Sequence, residues 1–211
     1  MAFDAGQRAA WLSDPEATHL AITVMKKRLE DSFGLKPGVD YQVIGEPVDV
    51  AGARALAEQD RYQFQWWALS LIGALPVGDD RRKGADRGVD GVIGFVEQGG
   101  KAKHIVIQVK SGHVNAAYIR DLKGTMEREK AELGLFITLE PATQPMRVEA
   151  VSAGFYHWQL SGWEQDFPRI QICTIQDLLT GELPKLPRWA RGGFAKAERI
   201  KEKVGKQDNL L

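Results

Sequence analysis

Two short stretches decide the fold predicted for this chain: GADRGVDG at residues 84–91 and IVIQVK at residues 105–110. A strand sends alternate side chains to the same face, so Gln108 and Lys110 would emerge side by side while their apolar neighbours enter a core. If the strand that opens at Asp90 pairs with this one, its carboxylate reaches the same edge. A carboxylate, an amide oxygen and an ammonium group would then converge, which suits a divalent metal ion and a phosphodiester.

The overall composition excludes several classes of protein. The chain has 211 residues with 28 basic and 28 acidic side chains, so any contact with nucleic acid must come from a local patch rather than from bulk charge. The single cysteine, Cys173, excludes an internal disulfide and a cysteine-based zinc site, and its apolar surroundings favour a core position. No apolar run is long enough to cross a bilayer, and the first residues lack a signal-peptide pattern. We therefore expect a cytoplasmic protein with no membrane partner.

Hydrophobic periodicity predicts an α/β fold, with a mixed sheet and helices on both of its faces. Glycines at residues 99 and 100 mark a hairpin between the two decisive strands. The expected helices cover residues 18–33, 50–74, 114–130, 143–153 and 175–179, and the expected strands cover residues 41–44, 89–97, 104–110, 135–139, 155–159 and 169–175.

Three parts are expected along the chain. Residues 1–49 form a helix and strand segment, residues 50–182 form the main domain, and residues 183–211 form a basic tail. The tail gathers arginines and lysines around Trp189 and Phe194, an arrangement that could lie along a nucleic-acid backbone. A simple solubilising end is the alternative.

The chemistry of phosphodiester hydrolysis assigns roles to the converging residues. Water must be made nucleophilic and the charge that develops on phosphorus must be neutralised. Asp90 and the amide oxygen of Gln108 are candidate ligands of a hard divalent cation, and the backbone carbonyl of Val109 is a third. Lys110 would orient water or stabilise charge. The glycines on either side of Asp90 would let a DNA backbone approach closely.

This arrangement resembles the catalytic core of the PD-(D/E)xK nuclease superfamily, and more narrowly its Mrr-like restriction endonuclease branch. In that branch glutamine often replaces the second acidic residue. The resemblance covers about residues 56–179 and implies a restriction-endonuclease-like mixed β-sheet flanked by helices. It implies that Asp90 is the metal-binding aspartate, Gln108 the second metal position and Lys110 the catalytic lysine, with Mg²⁺ or Mn²⁺ as cofactor. Many members carry a glutamate on the preceding helix; Gln65 occupies about that place here, and Glu58 is a less favoured substitute.

Two amides and one carboxylate make a less negative metal site, so lower metal affinity is expected. The leading interpretation is a metal-dependent DNA endonuclease of restriction type that acts on double-stranded DNA. Cleavage of both DNA strands usually requires two active sites, which favours a homodimer. The alternative is a weak or inactive DNA-binding module, or a subunit associated with a DNA methyltransferase.

The amino-terminal part has a resemblance of its own. Residues 18–29 and 41–47 are similar to a piece of DNA amino-methyltransferases, in some of which a nuclease-like domain follows the methyltransferase core. The catalytic (D/N/S)-P-P-(Y/F/W) motif and the glycine-rich cofactor motif are absent from the sequence. The resemblance therefore implies part of a methyltransferase–nuclease fusion, or a partner of a methyltransferase. An ordinary helix and strand leading into the domain is the alternative.

Further residues are candidates for contact with the DNA backbone. Some lie in the charged loop before Asp90, others follow Lys110, and the last lie in the tail. Each has an ordinary surface role as its alternative. They are Arg81, Arg82, Lys83, Ser111, His113, Arg188 and Arg191.

Overall fold

The computed structural model describes residues 19–77 and 88–188. Its helices are α1 (His19–Phe33), α2 (Val50–Gln59), α3 (Arg61–Ser70), α4 (Ala116–Glu129), α5 (Gln144–Ser152) and α6 (Ile175–Leu179). Its strands are β1 (Leu75–Pro76), β2 (Gly91–Glu97), β3 (Lys101–Lys110), β4 (Leu133–Thr138), β5 (Phe155–Leu160), β6 (Trp163–Pro168) and β7 (Ile170–Thr174).

The main sheet is mixed, with strand order β1-β2-β3-β4-β7. β1, β2 and β3 are antiparallel neighbours, whereas β4 pairs parallel with both β3 and β7. Strands β5 and β6 form a separate two-stranded sheet. The predicted mixed sheet is confirmed, as is the hairpin at residues 98–100 that joins β2 to β3.

Both faces of the sheet are covered, and alternate residues of β3 pack into two hydrophobic cores, one on each face. Ile105 and Ile107 pack with residues of α2, α3 and α6 in one cluster, whereas Val106 packs with residues of α4 and α5 in the other. All six residues of β4 are buried, as expected of a central parallel strand covered by helices on both faces. The predicted helices on both faces are therefore confirmed.

The single helix expected over residues 50–74 is wrong, because the structure has two helices that meet at Asp60. This residue has extended backbone angles, with φ −153° and ψ 108°, and its carboxylate accepts hydrogen bonds from the backbone N–H groups of Tyr62 and Gln63. An aspartate that caps the following helix competes with continuation of the preceding one. The local capping preference decided the break, although apolar residues continue on both sides.

Two other expectations for strands also differ from the structure. Residues 41–44 form no strand, and only an isolated bridge joins Pro37 to Tyr41. Strand β6 was missed, because four of its six residues are exposed and give no apolar alternation. Cys173, by contrast, is buried in β7 as expected, and burial raises the pKa of its thiol to about 12.

The described part of the amino-terminal segment packs on the larger fold. The backbone N–H of His19 donates to Gln63 Oε1 on α3 at 2.9 Å, and Ile22 is buried. Within the segment itself, Lys26 pairs with Glu46. The division of the chain at residues 49 and 182 stays a prediction. In residues 19–77 and 88–188, no helix is both long enough and apolar enough to cross a membrane.

Close packing at Gly91 gives a first testable prediction about the fold. A Cβ atom at this position would lie 2.5 Å from Leu69 Cδ2 and 3.0 Å from the carbonyl oxygen of Leu75. We expect Gly91→Ala to lower the free energy of unfolding by about 1–3 kcal/mol, the usual range for overpacking. Urea denaturation measures this change, with Gly112→Ala as the control because no atom of the described residues lies within 4 Å of its added Cβ. A Gly91→Ala protein as stable as the parent would contradict the packing described.

Candidate functional site

Asp90 is fixed against β3 by both its backbone and its side chain. Its backbone N–H donates to the carbonyl oxygen of Ile107 at 2.8 Å, and its own carbonyl oxygen accepts from the N–H of Val77 at 3.1 Å. Its carboxylate oxygen Oδ2 accepts from the N–H of Val109 at 2.6 Å. The pairing of the two strands therefore brings the carboxylate of Asp90 to the end of β3, as the sequence predicted.

The side chain of Gln108 is held by Gly88, which lies two positions before Asp90. Its Nε2 donates to the carbonyl oxygen of Gly88 at 2.5 Å, and its side chain is buried, with the residue 5% exposed. Gly88 has φ +68°, and a Cβ there would lie 3.1 Å from Gln108 Nε2, so glycine is required on both counts. Because the amide nitrogen binds Gly88, the amide oxygen is the atom of Gln108 suited to act as a ligand.

The backbone of Val109 contributes to the same edge. In an extended strand the N–H and C=O of one residue point to the same side. The N–H of Val109 binds the carboxylate of Asp90, so its carbonyl oxygen also points toward the Asp90 side of β3. A carboxylate, a side-chain amide oxygen and a backbone carbonyl thus belong to adjoining positions, and all are oxygen donors of the kind hard divalent cations prefer.

Lys110 ends β3 beside a cleft between β3 and α4. Its Nζ lies 5.8 Å from the centroid of the Tyr118 ring, within the range of a cation–π interaction. The cleft has a volume of about 520 Å³, a size typical of ligand sites. Gly88, Gln108 and Lys110 form one wall, and α4 forms the other through Tyr118, Arg120, Asp121, Gly124, Thr125 and Arg128.

The wall contributed by α4 was missed from the sequence. Arg120, Asp121 and Arg128 border the cleft in the structure, and none of them was among the candidate site residues. Arg120 also pairs with Glu149 at 3.1 Å, and Arg128 pairs with Glu129 at 3.2 Å. The available signal was the spacing of the two arginines, eight residues apart with a glycine midway.

The replacement of acidic residues leaves a site that is not a carboxylate cluster. Over residues 19–77 and 88–188 no group of three or more histidine, cysteine, aspartate or glutamate side chains could hold a metal ion. A cation at the end of β3 would have to be held by one carboxylate together with neutral oxygens. The metal roles of Asp90, Gln108 and Val109 stay predictions.

Gln65 and Glu58 lie on different helices. Gln65 is half-buried on α3, one turn before Leu69, which packs against Gly91 next to Asp90. Residues four apart share a helix face, so Gln65 lies on the face that contacts β2. Glu58 is exposed on α2. A role of Gln65 beside Asp90 remains a prediction.

The candidate DNA contacts are only partly covered by the described residues. Ser111 is half-buried and His113 is exposed, both in the segment between Lys110 and α4. The guanidinium carbon of Arg188 lies 3.8 Å from the centroid of the exposed Trp163 ring. The remaining candidates, Arg81, Arg82, Lys83 and Arg191, together with Trp189, lie outside the described residues.

Comparison with known proteins connects this site to restriction enzymes. Residues 56–159 match a family model, Mrr_cat, described as restriction endonuclease. The match spans α3, β2 and β3, and so includes Gln65, Asp90, Gln108 and Lys110. The predicted resemblance to the Mrr-like restriction endonuclease domain is therefore confirmed for this segment.

A solved structure with a similar chain is that of the MspJI restriction endonuclease in complex with a 27-mer oligonucleotide. The two chains are 12% identical with a TM-score of 0.33, and the alignment covers 85% of this chain and 34% of that chain. This chain thus corresponds to about a third of the length of that protein. No curated protein was found to match the chain. The resemblance of the amino-terminal segment to a methyltransferase stays a prediction.

Proposed function

We propose that this protein is a metal-dependent DNA endonuclease of restriction type, which hydrolyses phosphodiester bonds in double-stranded DNA. The observation that carries the proposal is the hydrogen bond from the Val109 N–H to the Asp90 carboxylate, beside a cleft lined by Gln108 and Lys110. The match of residues 56–159 to restriction endonucleases supports the same chemistry.

The proposed cofactor is Mg²⁺ or Mn²⁺, held by Asp90, Gln108 and the backbone carbonyl of Val109. The donor set fits such an ion, because all three groups offer oxygen and a carboxylate can accept from several partners while it keeps the Val109 hydrogen bond. When bound, the cation neutralises phosphate charge and lowers the pKa of a water molecule. With a single carboxylate among these ligands, we expect cleavage to need a higher metal concentration than a site with two carboxylates would.

The roles of the protein groups follow from how each is held. The Val109 N–H fixes the orientation of the Asp90 carboxylate, and the Gly88 carbonyl fixes that of the Gln108 amide. Lys110 extends over Tyr118 into the cleft, where its ammonium group would bind a phosphate oxygen and stabilise the negative charge that develops there. Gln65 would support the same edge from α3.

Nicking of supercoiled plasmid tests this proposal. We expect conversion to the open-circular form in Mg²⁺ or Mn²⁺, and none in EDTA, because the proposed mechanism depends on the cation to neutralise the phosphate. Methylated and unmethylated plasmids are both used, so that dependence on base methylation cannot hide the activity. An intact plasmid under every metal and methylation condition would contradict the proposal.

A second candidate function is a DNA-binding module or methyltransferase-associated subunit that cleaves slowly or not at all. The glutamine at position 108, in place of an acid, is the observation that favours it. This candidate predicts DNA binding that weakens steeply with salt, without nicking.

Under the endonuclease proposal, a homodimer would supply the two active sites needed to cut both strands. Light scattering with and without DNA measures the oligomeric state.

A further inference from the structure

The wall of the cleft formed by α4 carries a feature that the cleavage chemistry does not use. Arg120, Gly124 and Arg128 follow one another at intervals of four residues, so they form a stripe along one side of the helix. All three line the cleft that also contains Gln108 and Lys110. We call these three residues the α4 stripe.

The charge of the cleft favours an anion. Among the described residues that line it, three are basic (Lys110, Arg120 and Arg128) and one is acidic (Asp121). The side chains of Arg120 and Arg128 are 58% and 52% exposed, so their ion pairs with Glu149 and Glu129 compete only weakly with a ligand. Arg128 also donates to Thr125 Oγ1 at 3.4 Å, a contact that a phosphate would share or replace. Guanidinium groups bind phosphate oxygens in a bidentate manner.

Packing within residues 19–77 and 88–188 gives no reason for glycine at position 124. Gly124 lies in the interior of α4 and is exposed, and a Cβ at this position would meet no described atom within 4 Å. Glycine inside a helix is unfavourable relative to alanine, so this residue reduces the stability of α4 with no compensating contact within the described chain. A smooth surface between two arginines lets a backbone approach the helix closely.

We propose that the α4 stripe binds the sugar-phosphate backbone of the DNA strand, with Arg120 and Arg128 on separate phosphates and Gly124 in contact between them. The inference rests on the proposed function, since it assigns the DNA-binding wall of that same site. The two arginines are about 12 Å apart along the helix axis, a separation that spans more than one nucleotide of a strand. The stripe would thereby align the strand with Lys110 at the end of β3.

The first test is salt-dependent binding to a short DNA duplex, measured by fluorescence anisotropy. Each lost phosphate contact lowers the slope of log affinity against log salt by about 1. We expect that reduction for Arg120→Gln and for Arg128→Gln. Lys123→Gln is the matched control, because it removes the same charge from the same helix outside the cleft lining, and its slope should equal that of the parent.

Glu149→Gln separates binding by Arg120 from a structural role. Arg120 pairs with Glu149 on α5, so a purely structural role predicts that Glu149→Gln weakens DNA binding as much as Arg120→Gln does. If Arg120 binds phosphate, Glu149→Gln releases a competitor and binding should be equal to or tighter than that of the parent. Weakened binding by Glu149→Gln would overturn this assignment of Arg120.

Gly124→Ala gives the sharpest test, because the expected changes in stability and binding have opposite signs. The substitution should raise Tm by about 2–4 °C and weaken DNA binding at least about 5-fold by displacing the strand. A Gly124→Ala protein that is more stable but binds DNA as the parent does would overturn the proposal that the α4 stripe binds DNA. Failure of the endonuclease proposal can be distinguished from failure of the α4 stripe. If only the endonuclease proposal fails, the parent binds DNA without nicking it, and the stripe variants still lose affinity.

Discussion

Asp90→Asn is expected to reduce metal-dependent DNA nicking by about 100-fold or more, the usual scale for loss of one charge-stabilising group in an active site. Asparagine keeps a side-chain oxygen that can accept the Val109 N–H, at present bound to Asp90 Oδ2 at 2.6 Å. The fold at the end of β3 should therefore persist, while the negative charge proposed to hold the cation disappears. Single-turnover nicking of supercoiled plasmid over a range of Mn²⁺ concentrations measures the loss.

The control is Asp31→Asn, which removes the same charge from an exposed site on α1 that pairs only with Lys27 among the described residues. It should nick as the parent does. Unfolding curves for both variants exclude global destabilisation as the cause. Nicking by Asp90→Asn at the rate of the parent would remove Asp90 from the proposed site, whatever the state of the remaining residues.

Lys110→Met is expected to reduce nicking by about 100-fold as well, while DNA affinity should fall by a much smaller factor, that of one lost phosphate contact. Methionine retains an apolar stem that can pack beside Tyr118, over which Lys110 Nζ now lies at 5.8 Å, so the cleft should keep its shape. The ammonium group proposed to stabilise charge on the phosphate is lost. Comparison of single-turnover rates with binding constants separates the two effects.

Lys101→Met is the matched control at the exposed start of the same strand, far from the cleft along β3. It should leave both nicking and binding unchanged. If Lys110→Met lowers DNA affinity and nicking by the same factor, Lys110 acts in binding alone, and its proposed role in the cleavage step is wrong.

Much of the central sheet could be predicted from the sequence because its signals are local. Alternation in β3 and the paired glycines after β2 define the hairpin, and the strand register follows from which side chains are buried. The carboxylate of Asp90 lies at the end of β3, where that register places it. The position of these side chains was therefore predictable once the two strands were paired, whereas their roles stay predictions.

Other features could not be predicted, because they depend on contacts between distant parts of the chain or on a local balance. The cleft wall requires α4 to dock across β3, and the spacing of the arginines on that helix does not by itself distinguish a cleft from open solvent. At Asp60 the chain could either continue the first helix or cap a second one. The apolar residues on both sides favoured one continuous helix, whereas the structure has the cap. Strand β6 is largely exposed and lacks the apolar period on which strand prediction depends.

The hydrogen bond between Gln108 and Gly88 limits what a single substitution at position 108 can achieve. A glutamate there would have no amide proton to donate, so its carboxylate would meet the Gly88 carbonyl as a second acceptor. An engineered second acid at this position would therefore require the turn at Gly88 to change as well. The more acidic form of the site needs two coordinated changes rather than one.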